Sequence, residues 1–217
     1  MSPDLNTPPG APSDVAADAP TDGRTARAER TRTAIVDALI ALLEEGDLQP
    51  TANRIADRAG ISLRLIYHHF GDLESLYRAV AQRTNERLMA RTHRVPVDAP
   101  LAERIDLLVA QRVDTLEWLT PIMRAAQLSI APSPGLMGSR SNLHARGERE
   151  VDVVFARELD ALPANERTVV ASALNGVLFW GHWDDLRKSG RSTGDARASI
   201  LLTVRAIFST LGGDAGT

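Results

Sequence analysis

Residues 51–70, TANRIADRAGISLRLIYHHF, decide how the rest of the chain is read. Ile55 and Ala59 recur at helical spacing ahead of Gly60, and Ile66 and Phe70 do the same behind it. Glycine at the junction supplies the left-handed turn that joins two short helices. Ala56 is small where the helices must cross closely, and Ile61 packs the corner. Thr51 and Ser62 stand at the two N-cap positions. Ile66 and Phe70 lie about 40° apart at 3.6 residues per turn. Turning them inward leaves Arg64, Leu65, Tyr67 and His68 on the opposite side. A two-turn helix with a base, an aromatic ring and an imidazole on its outer face suits a DNA major groove.

The flanks extend this pattern. Ile35, Ala38, Leu39, Leu42 and Leu43 predict a helix over residues 25–45, ended by Gly46. Arg24, Arg27, Arg30 and Arg32 gather at its start, where a helix dipole favours acids, which suggests a phosphate-facing arm. Asp72 caps a long helix over residues 72–92 with an apolar stripe at Leu73, Leu76, Tyr77, Val80 and Leu88. Residues 1–23 carry five Pro, four Asp and no base, and read as a disordered tail.

Composition sets the bounds. The chain has 217 residues and is 43% apolar, with only 4% aromatics and few β-branched runs, so helix is favoured over strand. The 24 Arg and single Lys188 fit the usage of a GC-rich bacterial genome. The net charge of -3 hides an uneven distribution, because residues 24–94 hold 12 Arg against nine acids. Positive charge thus surrounds the candidate helix pair, as an electrostatic footprint on DNA requires. The absence of cysteine excludes disulfide and thiol chemistry. No apolar run approaches the ~20 residues of a membrane span. The N-terminus lacks a signal-peptide layout, so the cytoplasm is the expected location.

Beyond Pro96 and Pro100, five further helices are predicted: residues 101–119, 121–128, 139–162, 163–189 and 195–211. Thr120-Pro121 reads as an N-cap followed by proline in the first turn. The expected fold is all-α with about nine helices. A helix-turn-helix unit over residues 24–80 joins, through the helix 72–92, a larger C-terminal unit over residues 81–212.

The run Thr51, Ile55-Ala56, Ala59-Gly60-Ile61-Ser62, Ile66-Tyr67-His68-His69-Phe70 and Glu74-Ser75-Leu76 resembles the DNA-binding domain of the tetracycline-repressor (TetR) family. The resemblance covers about residues 31–80 and implies a double-stranded operator with an inverted repeat. By the same resemblance, Thr51 binds phosphate and Asn53 and Arg54 touch backbone or a base edge. Ser62, Leu63, Arg64 and Leu65 occupy the base-reading start of the recognition helix, and Tyr67, His68 and His69 grip phosphates. Two departures matter. Leu63 and Leu65 stand where small or polar residues are usual, and Leu73 stands in place of a phosphate-binding Lys. Leucine meets a thymine methyl but forms no hydrogen bond. Few phosphate contacts are therefore expected, with Arg64 and Arg54 discriminating bases.

In residues 163–189, two apolar stripes run along one helix, and Ile200, Leu201, Val204, Ile207, Phe208 and Leu211 line the last. Helices apolar on more than one side need two partners, which a homodimer through these last two helices supplies. Trp118, Met123, Gln127, Met137, Phe155, Asn175, Phe179 and Trp183 combine large apolar surface with polar handles. They are the candidate lining of an effector pocket for a small, mainly apolar molecule. No cofactor is implied. His68-His69 point about 100° apart on a helix and His182 with Asp185 lacks a third ligand, so neither makes a metal site. Phosphate-loop, nucleophile-elbow and zinc-protease motifs are missing, and nothing points to an enzyme. The expected function is a dimeric repressor released from its operator by an effector. An activator, a ligand-independent regulator, or a small-molecule binding protein with a vestigial helix-turn-helix remain alternatives.

Overall fold

The computed structural model describes residues 19–128 and 134–213, and side chains for residues 23–128 and 141–211. Among the described residues there are ten helices and no strand. They are α1 (Ala19–Glu44), α2 (Ala52–Ala59), α3 (Leu63–Phe70), α4 (Leu73–Arg91), α5 (Leu101–Leu128), α6 (Pro134–Val154), α7 (Ala156–Leu159), α8 (Ala164–Leu178), α9 (Trp180–Lys188) and α10 (Thr193–Gly213). The all-α expectation holds. Most of the expected tail, residues 1–18, lies outside the described residues, but α1 begins at Ala19, so the last five tail positions are helical. No described helix is long and apolar enough to cross a membrane.

Two apolar cores organise these helices. In the first, Ile35, Leu39, Ile40 and Leu43 of α1 pack on Ile55, Ile66, Phe70, Leu76 and Val80 from α2, α3 and α4. Leu119, Ile122 and Ala125, from the far end of α5, complete that core. The second core joins Leu108, Val109, Val113 and Leu116 of α5 to Val151, Val154 and Phe155. Leu174, Leu178, Trp180, Trp183, Ile200, Val204 and Phe208 close it. Helix α5 therefore belongs to both cores.

Three predicted boundaries are corrected. The expected helices 101–119 and 121–128 are one helix with Pro121 inside it. Thr120 does not cap, because its hydroxyl donates back to the Leu116 carbonyl at 2.6 Å and accepts from Trp180 Nε1 at 3.2 Å. An internal proline costs ~3 kcal/mol. Leu119 and Ile122 flank it and are buried in the first core, and two such side chains contribute roughly 3–6 kcal/mol. Packing outweighs the local signal. The expected helix 139–162 starts earlier, at Pro134, and breaks at Phe155 into α6 and α7. There the buried Arg104 guanidinium donates to the Val154 carbonyl at 2.5 Å and draws it out of the helical ladder. The expected helix 163–189 breaks at Phe179, whose ψ of 154° is extended. Gly176 and Gly181 flank the break, and the displaced turn seats Trp180 and Trp183 in the second core.

Candidate nucleic-acid interface

Helices α2 and α3 meet as the glycine spacing requires. Gly60 has φ +67° and ψ 34°, the left-handed conformation, and its neighbour Ile61 donates its backbone N–H to the Ala56 carbonyl at 3.0 Å. Thr51 caps α2 by accepting from the Arg54 N–H at 3.3 Å. Ser62 occupies the N-cap position of α3, but its side chain makes no capping bond. That hydroxyl is exposed and remains available to an external partner. Asp72 caps α4 through the Ser75 N–H at 2.7 Å. Hydrogen bonds from the Ser75 backbone and side chain, with the charge of Arg78, hold the Asp72 carboxyl below the usual aspartate value.

Burial sorts the two faces of α3 as the periodicity requires. Ile66 and Phe70 are in the core, while Arg64, Tyr67 and His68 are exposed. Leu63 and Leu73 are 37% and 41% exposed, and Leu65 and His69 are half-buried. The outer face of α3 is therefore apolar beside its one arginine, Arg64. On α2, Thr51, Asn53 and Arg54 are exposed. Yet Arg54 is held by Asp47 at 3.1 Å, and Arg58 makes a two-pronged pair with Glu45 at 2.6 and 2.9 Å. Among the described arginines of α2 and α3, only Arg64 has no carboxylate partner.

The basic arm separates into two parts. Arg24, Arg27 and Arg30 are exposed on α1. Arg32 instead donates to the His69 carbonyl at 2.9 Å and lies 4.2 Å over the Phe70 ring. It is a clamp on the C-terminal end of α3, where a cation is favoured, and it fixes the orientation of that helix against α1. Spacing gave no sign of this.

The expected effector residues do not converge. Phe155 and Trp183 are fully buried core residues, Phe155 stacking on Phe208 at 4.8 Å. Trp118 faces the first domain, donating to Glu44 at 2.9 Å with Arg91 over its ring. Asn175 bonds within its own helix to the Ala171 carbonyl, Gln127 is exposed, and Met123 packs between the two cores. Met137 lies outside the described side chains. Among the described side chains of this set, only Phe179 lines the cavity among α4, α5, α6 and the α8–α9 break. That cavity has a volume of about 40 Å³ and is also walled by Leu88, Thr92, Gln111, Arg112, Arg146 and Glu150. The polar residues were missed because each reads, in sequence, as part of a solvated helix face.

Two short helices crossing at a left-handed glycine, with the second presenting an exposed outer face, define a helix-turn-helix regulator. The family model described as bacterial regulatory proteins, tetR family, matches residues 35–80. The transcriptional regulator BetI of Burkholderia thailandensis is 30% identical over 159 residues, covering 71% of this chain and 80% of that protein. BetI of Burkholderia ambifaria is 29% identical over 180 residues, or 80% and 90% of the two chains. In fold, the chain is similar to a tetR-family transcriptional regulator from Streptomyces coelicolor, with a TM-score of 0.67 and 16% identity. That match covers 85% of this chain and 83% of that one. The chain belongs to the TetR family of transcriptional regulators, and it is a DNA-binding regulator rather than an enzyme.

Proposed function

We propose that the chain is a homodimeric repressor, acting in the cytoplasm, whose hold on an inverted-repeat operator is loosened by a small effector in the C-terminal domain. The observation that carries this reading is the continuity of α4. Leu76 and Val80 of that helix sit in the core of the DNA-binding unit, while Leu88, about two turns further along, lines the C-terminal cavity. A single rigid element thus touches both sites.

In this reading Ser62, Leu63, Arg64 and Leu65 meet base edges, and Asn53 and Arg54 meet backbone or a base edge. Thr51, Tyr67, His68 and His69 meet phosphates. The dimer face is formed by α8 and α10, where Val169 and Leu202 are 68% and 71% exposed. Ala173, Gly176, Ala198 and Ala206 are exposed on the same two helices, small enough for close approach of a second copy. Dimerisation places two recognition helices on half-sites about 34–36 Å, or a multiple of this, apart. Effector and operator then oppose each other by roughly 1–3 kcal/mol, equally in both directions.

The test begins with selection of bound duplexes from random DNA by the full-length protein. A palindromic consensus and a gel-filtration mass of two chains are expected. Asymmetric sites bound by a single chain would sink the dimer, and equal effector affinity with and without operator would sink the gating.

A further inference from the structure

The cavity beside α4 is charged at one end, and the charges do not balance. Arg112 of α5 donates to Glu150 Oε2 at 2.5 Å, and Gln111 donates to Glu150 Oε1 at 2.8 Å. Both carboxylate oxygens are thereby occupied. Arg146, one turn before Glu150 on α6, lines the same cavity and touches the Met89 thioether rather than an acid. No acid among the described residues pairs with Arg146. Two guanidiniums therefore share one carboxylate, with Arg112 largely buried and Arg146 partly exposed. Burial pushes the Arg112 guanidinium below the usual arginine value, and Arg146 pushes the same way against the attraction of Glu150. A buried charge left uncompensated is costly, and the missing counter-charge is negative.

Space and packing agree. A β-carbon at Gly147 would stand 2.9 Å from Arg112 Nη1, so glycine admits the guanidinium against the α6 backbone. Leu88, Leu116 and Phe179 give the same cavity apolar lining. The volume of about 40 Å³ takes roughly three waters or one compact head group. It falls far short of the ~300 Å³ of a full ligand pocket, so a larger ligand must displace a wall, and Leu88 and Thr92 make α4 one of those walls.

We propose that this cavity takes a small organic carboxylate, its anionic head bound by Arg112 and Arg146 and its apolar body lying against Leu88, Leu116 and Phe179. The assignment rests on the effector-gated reading above and names the chemical class of that effector. It also revises the mainly apolar molecule expected from sequence. Glu150 competes with the ligand for Arg112, so its role is opposite in sign to that of Arg112.

The test uses full-length protein and three probes of one shape, benzoate, benzamide and benzylamine, titrated by calorimetry. Benzoate should bind saturably and at least about tenfold tighter than the neutral and cationic probes. Arg112→Gln should weaken benzoate by about tenfold or more, with its thermal melt recorded to confirm folding. Glu150→Gln should tighten benzoate several-fold, and this arm stands whether or not Arg112→Gln folds. A merely structural Arg112–Glu150 pair would give weakened or unchanged binding in both variants. Benzylamine or benzamide binding as tightly as benzoate overturns the proposal. So does the absence of saturable benzoate binding up to about 10 mM. Operator affinity is measured in parallel by fluorescence anisotropy. Benzoate that binds at Arg112 but leaves operator affinity unchanged supports the anion site and refutes the gating. Failure of all three probes with intact operator binding refutes only the anion site.

Discussion

Replacing Arg64 with alanine should damage DNA binding more than replacing Arg54, although both were expected to read bases. Arg54 is already engaged by Asp47 at 3.1 Å. To reach DNA it must leave that half-buried carboxylate, at a cost of about 1 kcal/mol, so part of any contact it makes is offset. Arg64 is exposed and has no such partner among the described residues. A bidentate arginine–guanine contact contributes roughly 1–3 kcal/mol. Two half-sites in a dimer make that roughly 2–6 kcal/mol, or about 30-fold to 20,000-fold in affinity. Anisotropy against the selected duplex gives the loss. Repeating it on duplexes varied one base pair at a time should show relaxed discrimination at one position per half-site. Because Arg64 contributes nothing to the core, the melting temperature should shift little. The reasoning fails if Arg54→Ala is the more harmful change, or if Arg64→Ala costs less than about threefold.

Salt dependence follows from the same pairing pattern. With Arg54 and Arg58 paired to acids and Arg64 on a base edge, few counterions are released, so affinity should fall by no more than about tenfold between 50 and 200 mM salt. A fall of a thousandfold would instead bring Arg24, Arg27 and Arg30 onto the backbone. Acid stability tests the buried carboxylates. Burial works to raise Asp184 and Glu158, but hydrogen bonds to Asp184 from Lys188 and Arg124, and to Glu158 from Arg104, hold both below their ordinary values. Groups lowered on folding contribute stability above their unfolded values, near pH 4, and lose it as pH falls through the folded ones. The melting temperature should therefore stay level above about pH 5 and drop below about pH 4, with a shallower drop in Asp184→Asn. An unchanged acid slope in that variant would contradict the assignment. Arg104→Met strips donors from the Ala99 and Val154 carbonyls and leaves Glu158 unpaired. Urea unfolding should show a loss of about 3–5 kcal/mol, and a loss under about 1 kcal/mol would count against the clamp.

The helix-turn-helix was legible because its determinants are local. Gly60 sets its own dihedral angles, Thr51 and Asp72 cap the helices that follow them, and Ile66 and Phe70 settle the buried face of α3 within one turn. The C-terminal domain was less legible because its breaks are set at long range. Pro121 looks like a helix start until Trp180, sixty residues away, bonds to Thr120. Phe155 looks helical until Arg104 takes the Val154 carbonyl. The expected effector residues lie apart for a related reason. Of the large aromatics among them, Phe155 and Trp183 fill the core. The cavity is lined instead by Gln111, Arg112, Arg146 and Glu150, whose polarity suggested solvent. Burial of a polar residue is decided by which helix packs over it, and periodicity along one helix does not carry that.

The junction between the domains shows what kind of movement a ligand could drive. Asp37 of α1 accepts from Arg83 at 3.2 Å and from Arg87 at 2.9 Å, both on α4, while Glu44 accepts from Trp118 of α5 at 2.9 Å. These ties are partly exposed, Arg83 by 38% and Arg87 by 32%, and each contributes about 0–1 kcal/mol. Leu76 and Val80 are buried in the first core, and each contributes roughly 1.5–3 kcal/mol. A coupling of about 1–3 kcal/mol is enough to break one or two polar ties but not to withdraw both apolar anchors. Filling the cavity at Leu88 and Thr92 would therefore pivot α4 about its seated N-terminal half rather than unfold it. The pivot carries the polar ties away from α1 while Arg32 keeps α3 clamped to the same helix. On this argument the helix-turn-helix stays intact when the effector binds, and only its aim relative to the second copy changes.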